Sequence, residues 1–115
     1  MKNSLLKVKN GTSMFNSCVE LKRIDKLDIS QLSTATSMFQ NLPKLEEIVF
    51  VNGINVSIDL STSPKLTVNT LIHIFNSLSD RNGMSSFTLK IGSTNIAKLT
   101  PEQLAIATSK NWIIA

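Results

Sequence analysis

Tyrosine is absent, tryptophan occurs once, and aromatic residues make up 5% of the 115. A platform on which single-stranded bases stack is hard to assemble from so few rings. Cysteine also occurs once, at Cys18, which excludes an intramolecular disulfide. His73 is the only histidine, and no histidine–cysteine set accompanies it to hold a metal. The four glycines, Gly11, Gly53, Gly83 and Gly92, stand apart from one another, so none belongs to a phosphate-cradling loop. Gly-x-Ser-x-Gly does not occur. No stretch approaches the roughly 20 apolar residues of a membrane span. The start, MKNSLLKVKNGTS, has too short an apolar run for a secretory signal. Lys and Arg number 12 against 8 Asp and Glu, a net charge of +4. Those basic residues are scattered, with no block longer than two, which argues against nucleic acid as a partner. What is present is globular: 42% hydrophobic and 17% charged, in a length that makes a single domain, residues 1–115.

Within that domain one phrase is written twice. Residues 12–24 read TSMFNSCVELKRI and residues 36–48 read TSMFQNLPKLEEI. Met14 and Met38, Phe15 and Phe39, Leu21 and Leu45, and Ile24 and Ile48 share one offset of 24, and Val8 and Leu32 keep it too. Apolar positions recur while the residues between them vary. Recurrence every 20–29 or so residues marks leucine-rich repeats, each unit adding a short strand and a return segment. One unit cannot cover its own apolar side, so units stack and bury a shared core. The expected fold class is therefore α/β: a leucine-rich repeat solenoid with a short parallel sheet and helices or turns on the convex side. Repeat units of about 24 residues occupy 5–60, and capping units occupy 61–115.

Spacing assigns roles inside a unit. Leu21, Ile24 and Leu27, then Leu45, Ile48 and Val51, are expected to point inward, with residues 13–16 forming one turn on the return path. Cys18 aligns with Leu42, and a position that accepts either residue reads as a small core site. The outward neighbours of the strand centres are Arg23 and Asp25, Glu47 and Val49, and Thr88 and Lys90. These six form the expected contact surface, because repeat arrays offer the outer face of their strands to partners.

The phrase MFNSCVELKRIDKLDISQLSTATSMF resembles the BspA-like leucine-rich repeats of bacterial surface and phage-associated proteins. There a Met-Phe-x-x-Cys-x-x-Leu phrase leads to Leu-Asp-x-Ser, matched here by Leu27-Asp28-Ile29-Ser30. The second unit departs, with Leu42 for Cys and Val51-Asn52-Gly53 for the Leu-Asp-x-Ser run. The tail is also similar to the ends of such proteins, with Lys110-Asn111-Trp112 where Lys-Gly-Trp is usual. The resemblance implies a binding module for a protein or glycan surface at the cell surface or in a virion. A purely structural assembly component is the alternative.

After residue 60 the rhythm changes. Thr67 is placed to cap a helix reaching Leu78, with Val68, Leu71, Ile72, Phe75 and Leu78 on one face and Asp80–Gly83 ending it. Residues 86–92 read as a strand with Phe87, Leu89 and Ile91 on one side. In LTPEQL, Thr100 caps, Pro101 takes the first helical position and Gln103 completes a capping box, with Leu99 and Leu104 as a staple. That helix is expected to stop near Ser109–Lys110, with Asn111 left-handed and Trp112 opening a last strand. For chemistry, His73 falls within the first helix beside core positions. Asp25, Asp28, Glu46 and Glu47 read as solvated strand and loop edges, not an acid–base pair. No catalytic residue, metal or cofactor is assigned, and the expected function is non-enzymatic.

Overall fold

The computed structural model describes residues 6–7, 18–32 and 38–115. Two three-stranded sheets are present. One runs β1 (Leu6–Lys7), β2 (Arg23–Asp28), β3 (Glu47–Phe50), and the other runs β4 (Ile58–Asp59), β5 (Phe87–Lys90), β6 (Trp112–Ile114). Every pairing is parallel, and three helices, α1 (Val68–Ser77), α2 (Gly92–Ile96) and α3 (Pro101–Thr108), complete the described chain. The architecture is mixed α/β with small parallel sheets and no closed barrel among the described residues. Met14, Phe15 and Val8 lie outside those residues.

The offset of the doubled phrase reappears as strand register. Arg23 pairs with Glu47 and Ile24 with Ile48, each 24 residues apart, as are the partners in the parallel bridge Ile54–Leu78. Beyond Ile24 the register shifts, so Leu27 meets Phe50. Lys26 absorbs the extra residue with φ at 51°, as a bulged position does. This corrects one expected core position. The alignment places Val51 inward, but the shift seats Phe50 there, 4% exposed, and leaves Val51 half-buried.

Ile24, Leu27, Leu45 and Ile48 are buried as expected, together with Met38 and Phe39 from the second copy of the phrase. Each such side chain contributes about 1.5–3 kcal/mol relative to exposure. Cys18 is a second correction: it is exposed, whereas Leu42 is fully buried. The turns match, since Leu21 N–H donates to Cys18 O as Leu45 N–H does to Leu42 O. What differs is cover. Around Leu42 the next segment closes in, with Thr62 bonding Asn41 N–H and Phe39 O, while Cys18 opens a shallow depression with Val19, Glu20 and Leu21.

The departure at Asn52 has a structural reason. Asp28 Oδ1 accepts from the backbone N–H and hydroxyl of Ser30, closing an Asx turn. Its other oxygen accepts from Asn52 Nδ2 at 2.9 Å. Asn52 therefore supplies a donor to a carboxylate that is 1% exposed, where a second aspartate would repel it. Asp59 with Ser61 and Asp80 with Asn82 repeat the Asx turn further on.

Thr67 caps α1 by accepting from Thr70 N–H. The helix is shorter than expected: it stops at Ser77, and Leu78 is extended to reach Ile54. The buried set is Thr70, Leu71, Ile74 and Phe75, with Val68 and Ile72 half-buried. The helix packs against both β3 and α3, so its buried stripe is centred between two neighbours and takes in Ile74. The capping box of α3 is complete, with Thr100 and Gln103 bonded reciprocally. Asn111 is left-handed at φ 66° and its amide ties Arg81 O and Met84 O before β6 begins. The short helix α2 has no signal in the sequence reading. Gly92, at φ 83°, turns the chain into it, and buried Asn95 holds it by donating to Ser63 O and Ile91 O.

Candidate functional site

Of the six expected contact residues, three are joined directly. Arg23 Nε donates to Asp25 Oδ1 at 2.6 Å, and its Nη1 contacts Glu47 Oε2 across the strand pair. Asp25 first, then Glu47, raises the Arg23 guanidinium above its already high ordinary value. A second rung of the same offset links Lys44 to Glu20 at 2.7 Å, and that contact lowers the Glu20 carboxyl. Exposed rungs of this kind add little stability but fix charge over the sheet. Val49 lies on the same strand as Glu47. Thr88 and Lys90 belong to β5 in the other sheet, where Thr88 N–H donates to Ser57 Oγ; they share no hydrogen bond or ion pair with the other four among the described residues.

Glu47 and Val49 also line a cleft of about 320 Å³ between β3 and α1, with Ile48 at its floor and Thr67, Asn69, Thr70 and His73 on its helix side. From the sequence Thr67 is expected only as a cap, and Asn69 and Thr70 carry no expected role. Their signal is three polar residues in four, Thr67, Asn69 and Thr70 around Val68, more than a cap requires.

Backbone geometry shapes the cleft. Glu46 O accepts from Thr67 N–H, and Phe50 N–H donates to His73 Nε2 at 2.9 Å. Glu47 and Val51 instead direct their N–H groups toward β2. Alternation along the strand then turns the N–H and C=O of Ile48 toward α1. The outer edge of β3 is thus closed at both ends, and Ile48 between them is buried.

His73 lies against Phe50, ring centroids 6.4 Å apart and planes nearly parallel. Burial lowers its pKa from 6.5, and since Nε2 accepts from Phe50, the neutral ring carries its hydrogen on Nδ1. A histidine depressed in the folded state contributes stability that is complete above its unfolded value of 6.5 and declines as pH falls through the folded value. Unfolding free energy is therefore expected to fall as pH is lowered from about 7.5 through 6.5 and below, and His73→Gln is expected to flatten that slope. Urea titrations across the range check this. An unchanged slope in the variant refutes it.

Among the described residues no three His, Cys, Asp or Glu side chains gather as a metal requires, and no helix is long and apolar enough to cross a membrane. No protein-family model, curated protein or solved structure matches the chain.

Proposed function

We propose that this chain is a leucine-rich repeat module of BspA-like type, a solenoid that binds a protein or glycan surface through the outer faces of its parallel strands. It acts in a bacterial cell-surface or phage assembly and catalyses no reaction. The carrying observation is the coincidence of two periods. The sequence repeats every 24 residues, and side chains 24 apart pair in space: Glu20 with Lys44, Arg23 with Glu47, Asp28 with Asn52, Asn55 with Ser79. Such stacking is what a repeat array requires of its neighbours. So few units offer a small face, which favours weak, multivalent contacts.

The test displays the domain multivalently on beads against glycan and protein arrays. Specific capture is expected, and Arg23→Glu with Lys90→Glu is expected to weaken it about tenfold, equivalent to about 1.4 kcal/mol. Absence of any specific binder, or capture that the double variant leaves intact, overturns the proposal.

One observation favours the alternative, a structural component that stacks on itself. Strand β6 is an edge strand whose Ile113 is 52% exposed, and open edges invite pairing with a further chain. Light scattering that rises with protein concentration supports this reading, and scattering that stays monomeric removes it.

A further inference from the structure

We propose that two copies of this chain pair edge to edge along β6, antiparallel about a two-fold axis at Ile113, and so join their two β4–β5–β6 sheets into one. This goes beyond both readings above. It holds whether or not the outer faces take a ligand, and a closed pair is not an open stack.

The backbone phase of β6 is set by its neighbour. Among the described residues β6 is the last strand of its sheet and pairs with β5 alone. Ile113 is the partner of Thr88, while Ala115 N–H donates to Leu89 O and its carbonyl accepts from Ile91 N–H. Along a strand, residues whose main chain bonds one neighbour alternate with residues whose main chain faces away from it. Ile113 and Ala115 therefore turn their main chain to β5, and Trp112 and Ile114 turn N–H and C=O to the open edge. Edges are usually guarded by a charge, a proline or a bulge. The strand reads Trp-Ile-Ile, paired in unbroken register, and has none of these. The outer edge of β3 differs, since Thr67 and His73 cover it.

A second copy is the occupant because this edge is complementary to itself. Set antiparallel with Ile113 opposite its twin, Trp112 of each copy meets Ile114 of the other, and each such pair exchanges N–H and C=O in both directions. Ile113 then takes the closely spaced position between them, Cα atoms about 4.5 Å apart, and an isologous contact of this kind closes on itself. The side chains agree. Ile113 is 52% exposed and Met84 58%, two of the three exposed large hydrophobics among the described residues. Both lie at this edge, for Asn111, two residues before Ile113, donates from Nδ2 to Met84 O at 2.9 Å. Behind them the last apolar layer, Leu104, Ile106 and Ile114, is half-buried, whereas Leu71, Ile74, Phe75 and Leu89 in the layer before are fully covered. Each chain carries a net charge of +4, yet β6 has no charged side chain, so the strands meet without repulsion between like charges directly opposite. So short an edge makes a small interface, and weak pairing is expected.

Sedimentation equilibrium of the full chain reads the assembly from about 10 μM to about 1 mM, with reductant present to keep the exposed Cys18 from crosslinking. The mean mass is expected to rise and to level at twice 12.6 kDa. Amide hydrogen exchange across the same range is expected to slow at Trp112 and Ile114 by at least about fivefold, and to stay unchanged at Ile113, already bonded to β5. Ile113→Lys sets like charges directly opposite and is expected to weaken pairing at least about tenfold. Val19→Lys, at the third exposed apolar residue, is expected to leave it intact. Register is read in a Cys18→Ser background. There Ile113→Cys is expected to form a disulfide dimer in air, since the paired Cα atoms fall within bridging range. Thr88→Cys is not, because its copies lie one strand further in on each side, about 14 Å apart. A mass that stays at one chain overturns the inference, as does growth past two chains, which belongs to an open stack. Pairing indifferent to Ile113→Lys, or crosslinking at Thr88 in place of Ile113, overturns it equally. If array capture fails while the pair forms, the binding reading falls and the pairing stands; capture by a chain that stays single gives the reverse.

Discussion

Replacing Phe39 by alanine is expected to lower the unfolding free energy by about 3–5 kcal/mol. The ring is fully buried and packs edge-on against Phe50, centroids 6.3 Å apart with planes at 79°. Phe50 in turn lies on His73. Removing Phe39 therefore opens a cavity under the strand that forms one wall of the cleft, and the neighbours are held by backbone bonds that resist collapse. A domain of this size has roughly 5–15 kcal/mol in all, so the alanine variant is expected to sit near its limit. Phe39→Leu keeps most of the volume and is expected to lose markedly less. Equilibrium denaturation of both, with an unchanged denaturant slope, checks the result. A loss in Phe39→Ala below about 1 kcal/mol would mean that the second Met-Phe phrase is not a core element.

Lys110→Met is expected to cost about 1.5–3 kcal/mol, although the residue lies on the connection between α3 and β6, far along the chain from its partners. Lys110 Nζ donates to the carbonyls of Phe75, Asn76 and Leu78 at 2.9, 3.3 and 3.1 Å. These close the C-terminus of α1, which carries no basic residue in its own last turn. An ammonium among the final carbonyls answers both their missing hydrogen bonds and the negative end of the helix dipole. Methionine keeps the stem and removes the charge. Lys110→Arg is expected to restore only part of the loss, because a planar fork suits a carboxylate better than three carbonyls on a curved turn. Thermal and chemical melts of the three proteins decide it. A methionine variant as stable as the original would show that water caps α1 equally well. Lys98 makes the matching contacts to Pro64 O and Leu66 O, so the loop before α1 is tied by the same chemistry.

Lys110 lies 32–35 residues along the chain from its partners, too far for its role to be legible in the sequence. Signals that act over a few residues were legible. Thr67 caps α1, Thr100 and Gln103 box α3, Asn111 turns left-handed and Trp112 opens a strand. The doubled phrase was legible too, because Ile24 and Ile48 pair at the offset at which they are written. Cys18 and Val51 were not. Both were assigned by position within a unit, whereas their surroundings depend on other segments: Thr62 covers the neighbours of Leu42 but not Cys18, and a bulge at Lys26 hands the inward place to Phe50.

The cleft shows the same division. Alternation along the strand predicts Glu47 and Val49 as outward residues. Thr70 and His73 come to face them only because α1 docks along β3, with Thr67 and His73 closing the edge at either end of Ile48. By itself the sequence determined the repeat spacing, the helix starts and the strand faces, since these depend on neighbours within a turn or on a pattern written twice. Tertiary structure alone decided which equivalent positions are covered and which polar groups share a cavity. Burial and hydrogen-bond partnership are set by chain segments 20–35 residues away, and no local propensity carries that information.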